Sequence, residues 1–306
     1  MEDYNKIIES LGIKYNKSKN IKIIQAVSND NYYDVENTIF IVHLGELRYG
    51  ADKQKVKKGE ILLVPGGKSI SISYGNVEAS TVTKDKLISR KESFLQSIDY
   101  AEIATSSQEN FSYITFEAKV FDSVNFFASL DIPPFIIKSR KISDLIYIIL
   151  EESESEAAGH ERIVKALTEY LVVEITRYII DNQLFVEKLA TNITYFKDPR
   201  LIDIFTFIKE NLQGDLSNKV LSNVANVSED YVGQYFKMLT GINPQDYIEY
   251  QRMEMAVNLL RTSKKSIREI GKEVGYKDTA YFCRRFKMMF GIPAGKMRRR
   301  ESLMNI

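Results

Sequence analysis

The stretch VANVSEDYVGQYFKMLTGI (residues 224–242) returns 50 residues later as VGYKDTAYFCRRFKMMFGI (residues 274–292). Seven of the 19 aligned positions are identical, where chance would give about one. The identities include Phe236-Lys237-Met238 against Phe286-Lys287-Met288. This internal similarity indicates that the C-terminal part of the chain contains one structural unit twice.

Each copy has the start and stop signals of two short helices joined by a tight turn. In the first copy, Asn226 tolerates the left-handed backbone conformation that such a turn requires. In the second copy, Ser266-x-x-Glu269 is a capping-box sequence and Gly275 ends the leading helix. Asn243-Pro244 is predicted to begin a long helix between the copies. Because a helix-turn-helix places its second helix in the DNA major groove, the repeat predicts a double DNA-binding unit.

Charge is distributed unevenly along the chain. Residues 214–306 contain 16 Lys/Arg against 10 Asp/Glu, a net charge of +6, whereas the whole chain carries +1. The remainder is therefore acidic. A basic segment beside an acidic remainder is typical of a protein in which one part binds a polyanion. The alternative interpretation is a chance fluctuation of surface charge.

Length and composition are typical of a globular protein with two domains. The chain has 306 residues, of which 44% are hydrophobic, so it can form substantial cores. Its single cysteine, Cys283, excludes a disulfide within the chain. The start MEDY has neither the basic nor the apolar region of a signal peptide, and no apolar run is long enough to span a bilayer. We therefore expect a soluble cytoplasmic protein with no membrane partner.

Residues 1–135 are predicted to form a β domain. Ile39–Val42, Ile61–Val64 and Ser69–Gly75 have the composition or alternation of strands, and glycine and proline turns separate them. Ser112–Val120 has the pattern of a later strand in the same domain. Short strands at this spacing predict an antiparallel sandwich or barrel.

Residues 136–195 are predicted to be a helical segment followed by a linker. Apolar residues recur at three-to-four spacing from Ser143 to Asp181, with a break near Ala157–Gly159. This helical hairpin could pack on its own β domain or form a homodimer with a second copy, and the sequence leaves both open. Asp198-Pro199 begins the C-terminal domain, residues 196–306, with an N-cap and a first-turn proline. The predicted fold class is α+β, with more than one domain.

The C-terminal third of the chain, from Asp198 to Arg300, resembles the AraC/XylS family of bacterial transcription regulators. Gly271 and Ser222 depart from the family pattern, which usually has alanine there. The resemblance implies an all-α double helix-turn-helix domain that binds double-stranded DNA, most often as an activator. The motifs that carry it are Arg252–Ala256, Leu259-Leu260, Ser266–Gly271, Val274–Tyr276, Tyr281-Phe282, Phe286-Lys287 and Phe290–Pro293.

The resemblance also assigns base-reading positions, which include Gly233 in the first recognition helix. Glycine offers no side chain, and an acid at Asp230 repels phosphates although it can accept from cytosine. In the second helix, Arg284 can bond a guanine through two hydrogen bonds and Ala280 can contact a thymine methyl. We therefore expect more base recognition from the second unit. The expected base contacts are Asp230, Gln234, Thr279, Ala280, Tyr281 and Arg284.

Basic and aromatic residues beside these positions are expected to bind the DNA backbone. The first unit is expected to contribute mainly such contacts. For the tail Arg298–Arg300, a merely solvated basic segment is an equal alternative. The expected phosphate contacts are Tyr235, Lys237, Arg285, Lys287 and Arg298.

The N-terminal half resembles the cupin-like β-barrel with which many of these regulators sense a small molecule. Gly59–Gly67 fits the opening of the second cupin motif, but Ile70 stands where that motif has a metal-binding histidine. The two histidines of the chain, His43 and His160, are too few for a cupin metal centre, so no metal or other cofactor is expected. His43 is expected to be a hydrogen-bonded core residue. The residues proposed to line a ligand cavity, each of which could be ordinary core, are Phe40, Val42, Leu44, Leu62, Tyr74 and Phe116.

The leading hypothesis is a transcription regulator, not an enzyme, controlled by a small molecule in the N-terminal barrel. One alternative is a regulator controlled by a protein partner through the same domain. Another is an enzyme fused to a DNA-binding module, as in adaptive DNA-repair methyltransferases. That hypothesis requires a reactive cysteine outside the DNA-binding helices. Cys283 instead falls within the second recognition helix, where a small packing residue is expected.

Overall fold

The computed structural model describes residues 5, 8–75, 80–81, 91–120, 124–129, 132–185, 187, 198–240, 243–290 and 293–298. These residues form two compact units. The β unit contains residues 12–118 and 132–184, and the helical unit consists mainly of residues 198–298. The linker predicted before Asp198 and the tail beyond Arg298 lie outside the described residues.

The strands form two sheets, and this confirms the β-rich N-terminal part and the α+β class. The first sheet has the order β12-β6-β3-β10-β1-β9, with β11 paired to β10, and the second has the order β5-β4-β7-β2-β8. The pairing of β2 with β8 is parallel, and the other described ladders are antiparallel. The strands are β1 (Leu11–Ile23), β2 (Val27–Tyr33), β3 (Asn37–Leu44), β4 (Glu46–Tyr49), β5 (Gln54–Lys57), β6 (Ile61–Val64), β7 (Ser69–Tyr74), β8 (Ser80–Thr81), β9 (Leu95–Ile98), β10 (Asn110–Val120), β11 (Val124–Asn125) and β12 (Phe135–Ile137).

The two faces of strands β3 and β10 have different surroundings. Tyr113 lies directly opposite Phe40 in the ladder, so these rings share one side of the sheet, which we call the inner face. Rings of the second sheet contact this face, because Tyr32 lies 5.6 Å from Phe40 and Tyr74 lies 5.1 Å from Phe111, centroid to centroid. The inner face is therefore an aromatic layer between the two sheets. The opposite side of β3 and β10 is called the outer face below.

Two helices of the β unit form the predicted hairpin. They are separated near Gly159, which has a φ of 88°, so the break expected at residues 157–159 is confirmed. Ser139 caps the first helix by accepting from the backbone N–H of Ile142. The hairpin packs in the same unit as the strands, while Ile148, Ile163 and Tyr170 remain exposed on it. The helices of this unit are the short α1 (Tyr100–Ile103), α3 (Arg140–Ser153) and α4 (His160–Asp181). The short helix α2 (Phe126–Ser129) lies between α1 and α3 in the chain but falls outside this unit.

The helical unit contains the predicted pairs of short helices on either side of a long one. Asp198 accepts a hydrogen bond from the backbone N–H of Arg200, and Pro199 is the first helical residue. Within the described ranges, no helix combines the length and apolar character needed to cross a membrane. The helices are α5 (Pro199–Glu210), α6 (Asn218–Ala225), α7 (Glu229–Thr240), α8 (Pro244–Thr262), α9 (Ile267–Glu273) and α10 (Thr279–Phe290), and residues 294–298 are also helical.

Aromatic rings fill the core beneath each copy of the repeat. Under the first copy, Phe205 lies 5.5 Å from Phe236 and 5.1 Å from Tyr247, centroid to centroid. In the second copy, Phe286 lies 5.7 Å from Phe282 and 4.4 Å from Phe290. These large buried side chains hold each second helix against its neighbours, and so fix which of its residues face solvent.

The turn of the first copy depends on Asn226, whose φ of 54° lies in the left-handed region. Alanine is strained in that conformation, so Asn226→Ala is expected to lower the free energy of unfolding by about 1 kcal/mol. Asn226→Gly is the matched control, because glycine adopts positive φ without strain. Urea unfolding followed by circular dichroism measures both. Equal stability of the alanine and glycine variants would contradict the assigned turn conformation.

Candidate nucleic-acid interface

The first helix-turn-helix consists of α6, the turn at Asn226 and the recognition helix α7. Asp230 and Gln234 are both exposed on α7, as a base-reading role requires. Gly233 lies between them, and a Cβ there would come no closer than 3.5 Å to another atom, the Asn218 amide nitrogen. The space would accept a larger residue, so glycine at this position leaves a gap in the recognition surface rather than relieving a clash.

The second helix-turn-helix consists of α9, the turn at Gly275 and the recognition helix α10. The capping box is confirmed, since the Ser266 hydroxyl and the Glu269 carboxylate both accept backbone N–H groups. Gly275 has a φ of 91°. Asp278 accepts the backbone N–H of Tyr281 and thereby caps α10. Both ends of the turn are therefore fixed locally.

The predicted base-reading residues of α10 lie together on its first turns. Ala280, Tyr281 and Arg284 are exposed and Thr279 is half-buried. The guanidinium of Arg284 lies 5.9 Å from the centroid of the Tyr281 ring. In the described part of the chain, Arg284 makes no ion pair. A fork of N–H donors is therefore available to a guanine edge at this point.

Helix α8 is hydrogen-bonded to parts of both copies. Near its start, the Gln245 side chain donates to the carbonyl of Leu216 at 2.9 Å. About two turns further on, the Arg252 guanidinium donates to the carbonyls of Leu212 and Gly214, each at 3.0 Å. On the other side, Glu249 accepts from Arg285 of α10. These bonds hold the two helix-turn-helix units at a set separation.

Three of the residues predicted to contact phosphates are bonded to other protein groups or buried. Arg285 forms a two-point ion pair with Glu249, which raises the pKa of the Arg285 guanidinium. Arg298 donates to the backbone carbonyl of Lys265. Tyr235 is only 2% exposed, and as placed its ring is not available to a phosphate. Lys237 and Lys287, which occupy equivalent positions of the repeat, are exposed.

Two residues that sequence reasoning did not single out lie beside Tyr235. The guanidinium of Arg200 lies 4.7 Å from the Tyr235 ring centroid. Tyr231 stacks on the same ring at 5.6 Å and is itself 44% exposed. Tyr231 could have been found from the repeat, because it is the counterpart of Tyr281. Arg200 could not, because its neighbour comes from another helix.

A groove of about 1310 Å³ lies beside α8 and is lined by residues 213–217, which precede α6, and by the second helix-turn-helix. Its exposed cations include Arg268, Lys272 and Lys277, but it also contains carboxylates. Glu273 is paired with Lys265 at 2.6 Å, and Glu269 belongs to the capping box. Because acids and bases alternate here, the groove is less selective for phosphate than the exposed lysines of α7 and α10.

The predicted ligand-lining residues of the β unit divide between two faces. Phe40 and Leu62 are ladder partners on the inner face, and Val42 and Leu44 follow Phe40 on that face by strand alternation. Tyr74 contacts the inner face from the second sheet. Phe116 is fully buried on the outer face. The aromatic layer also contains Tyr32 and Tyr113, whose pKa values are raised by burial and by Asp34.

His43 is a hydrogen-bonded core residue, as expected. Its Nδ1 lies 3.0 Å from the Tyr147 hydroxyl and its Nε2 lies 2.7 Å from the Ser112 hydroxyl. Ser112 in turn donates to the side-chain oxygen of Asn20, and the Asn20 amide donates to Glu154 at 2.7 Å. This buried chain joins the outer face of the sheet to the C-terminal end of α3. Burial lowers the pKa of His43 to about 4.

Comparisons with known proteins agree with this geometry. A family model described as a helix-turn-helix domain matches residues 221–300. The TetD protein of transposon Tn10 from Escherichia coli is 31% identical over 99 residues, which cover 32% of this chain and 72% of TetD. An uncharacterized HTH-type transcriptional regulator of Haemophilus influenzae is 28% identical over 162 residues, 53% of each chain. This chain thus spans about half the length of that regulator.

A solved structure resembles the chain over nearly its full length. The match to ToxT from Vibrio cholerae covers 95% of this chain and 97% of the ToxT chain, with 11% identity and a TM-score of 0.52. At this identity the likeness is one of fold. It extends the agreement from the helical unit to a chain with an N-terminal β part and C-terminal helices.

Two helix-turn-helix units joined by one rigid helix, each with exposed residues on its second helix, define a double helix-turn-helix protein of the DNA-binding class. The matched helix-turn-helix region and the relatives identify the family. The chain belongs to the AraC/XylS family of transcription regulators.

Proposed function

We propose that this protein regulates transcription by binding double-stranded DNA through α7 and α10, under the control of an effector bound by the β unit. The observation that carries the proposal is the exposed guanidinium of Arg284 on α10, which lies beside Tyr281 and has no ion-pair partner among the described residues. It offers two donors on the surface that a helix-turn-helix presents to the major groove.

The two recognition helices differ in the chemistry they offer. We assign most base contacts to α10, through Thr279, Ala280, Tyr281 and Arg284. Helix α7 contributes Asp230 and Gln234 and has the gap at Gly233. Backbone contacts are assigned to Lys237 and Lys287, which are exposed and equivalent. Arg285 and Arg298 act on DNA only if their bonds within the protein are exchanged for phosphates.

Selection of DNA from a random library by the full-length chain tests the proposal directly. We expect an enriched sequence with two recognised segments about one helical turn apart, at the spacing of successive major grooves. Affinity for that sequence should fall steeply as salt rises, because bound phosphates release counterions. Failure to enrich any sequence, together with salt-independent binding, would contradict a DNA-binding role.

The assigned backbone contact of Lys287 has its own test. Lys287→Ala is expected to weaken binding to all sequences alike and to reduce the slope of log affinity against log salt by about 1, since one phosphate contact is lost. Lys165→Ala is the control, because Lys165 is also an exposed lysine and lies on α4 of the β unit. Titrations at several salt concentrations measure both. An unchanged slope for Lys287→Ala would remove this residue from the backbone contacts.

The effector site is assigned to the interior of the β unit, with the two sheets forming a cupin-like barrel. Support comes from the aromatic inner face, since apolar and aromatic walls with few polar groups are typical of small-molecule sites. ToxT, which shares the fold, has been solved with a naphthalenyl butenoic acid bound. We further propose that the protein acts as an activator in the cytoplasm and forms a homodimer through the exposed side of α3 and α4. A thermal-shift screen against metabolites tests the effector, since shifts confined to one chemical class support it.

A further inference from the structure

Tyr231 and Tyr281 occupy the same position in the two recognition helices. Each is the third residue of its helix, and the two are 50 residues apart in the repeat. They are also similarly exposed, at 44% and 47% of the residue surface. Large aromatic residues with so much exposed surface are few in the described chain. Two of them at matched places on the first turn of each recognition helix point to a shared partner.

Each of these rings rests on a second tyrosine. Tyr231 stacks on Tyr235 with a centroid distance of 5.6 Å and an interplanar angle of 26°. Tyr281 contacts Tyr276 at 6.0 Å and 44°. The supporting rings come from different elements. Tyr235 lies in α7 itself, four residues after Tyr231, whereas Tyr276 lies in the turn before α10. The same exposed ring is thus supported in two different ways.

An arginine lies over each supporting ring on a further element. Arg200 of α5 lies 4.7 Å from the Tyr235 ring, and Arg252 of α8 lies 5.9 Å from the Tyr276 ring. Both arginines have further partners, because Arg200 is bonded to Asp198 and Arg252 is bonded to two backbone carbonyls. The exposed tyrosines are therefore the ends of fixed stacks. A ring held in place before binding loses little conformational entropy when it meets a partner.

The apolar group that protrudes into the major groove is the C5-methyl of thymine. An exposed ring on the first turn of a recognition helix, where residues reach base edges, matches that group in polarity and position. We propose that Tyr231 and Tyr281 each pack on a thymine methyl, so that both units read a thymine at the equivalent place. This inference rests on the proposed DNA-binding function, and adds the class of base that each ring selects.

Replacement of single thymines by uracil tests this, because uracil keeps every hydrogen-bonding group and lacks only the methyl. In the DNA sequence selected by the full-length chain, each thymine is replaced in turn. At one position in each recognised segment, loss of the methyl is expected to weaken binding about fourfold. Tyr231→Ala should abolish the sensitivity in one segment only, and Tyr281→Ala in the other only.

Two further variants separate the ring from neighbouring groups. Tyr231→Phe and Tyr281→Phe should keep the methyl sensitivity, since the ring remains. If the hydroxyl instead bound a phosphate, the phenylalanine variants would lose affinity for every sequence and the uracil effect would persist in the alanine variants. Ala280→Gly removes the other methyl-contacting candidate beside Tyr281, and the sensitivity at the thymine assigned to Tyr281 should persist in this variant.

The outcomes distinguish this inference from the function on which it rests. If the chain enriches no DNA sequence, the proposed function itself fails. If it binds a selected sequence but no uracil effect disappears with either alanine variant, only the thymine assignment is overturned. Loss of sensitivity in both segments from one alanine variant would also contradict it, because each ring is assigned to its own segment.

Discussion

Replacement of Arg284 by alanine is expected to weaken binding to the selected DNA sequence by about 1–3 kcal/mol, or about fivefold to more than a hundredfold. The guanidinium is exposed on α10, and among the described residues it has no ion-pair partner to be separated from. The variant should also lose discrimination at one base pair, because only the group that bonds the guanine edge is removed. Titration of the selected sequence and of its single-base variants measures both effects.

Arg284→Lys separates charge from geometry in this prediction. Lysine keeps the positive charge but cannot offer the paired, planar donors of a guanidinium. We expect it to restore affinity for all sequences in part and to leave the discrimination at that base pair low. Gln234→Ala is the comparison in α7. A large loss for Gln234→Ala with little loss for Arg284→Ala would reverse the assignment of base reading to the second unit.

The helix-turn-helix repeat was predictable because its determinants are local in sequence. Asn226, Gly275 and the capping box at Ser266 act on their own turn or on residues three positions away. The backbone conformations at these positions could therefore be predicted from the residue types alone, and the structure confirms each of them. The base-reading positions of α10 came instead from the family resemblance, and Ala280, Tyr281 and Arg284 are exposed.

The contacts of Tyr235 and Arg285 were not predictable, because their partners come from distant parts of the chain. Tyr235 is buried beneath Arg200 of another helix, and Arg285 is paired with Glu249, 36 residues earlier. A basic or aromatic residue near a recognition helix looks the same in sequence whether it faces DNA or a neighbouring helix. Only the packing distinguishes the two.

The β unit shows the same limit in another form. Strand alternation correctly separates inner from outer residues, but the sequence does not show which side the helices cover. Phe116 was grouped with Phe40 for that reason, and the ladder register places it on the other side of the sheet. The sequence predicts that His43 is a hydrogen-bonded core residue, but it does not predict the partners. Those partners, Tyr147 and Ser112, lie 104 and 69 residues away.

Acidification is expected to destabilise the β unit through His43. The pKa of this residue is about 4 in the folded chain against 6.5 for a free histidine, because burial disfavours the charged ring. Below pH 6.5, His43 becomes protonated in the unfolded chain but stays neutral in the folded chain until the pH approaches 4. The stabilising contribution is therefore complete above pH 6.5 and is lost progressively as the pH falls towards 4. The shift corresponds to about 3 kcal/mol.

His43→Gln supplies the reference for this measurement, because glutamine can hydrogen-bond at the same place and does not titrate. Carboxylates also titrate in this range, so the informative quantity is the difference in unfolding free energy between the two proteins at each pH. Urea unfolding followed by circular dichroism, from neutral pH down to about pH 4, measures it.

The Ser112 hydroxyl donates to Asn20, so it can only accept from His43, which places the proton on Nε2 of the neutral ring. A second proton would fall on Nδ1, where the ring now accepts from Tyr147. The difference should therefore shrink as the pH falls, and a constant difference across the range would mean that His43 accepts a proton in the folded chain as readily as in the unfolded one.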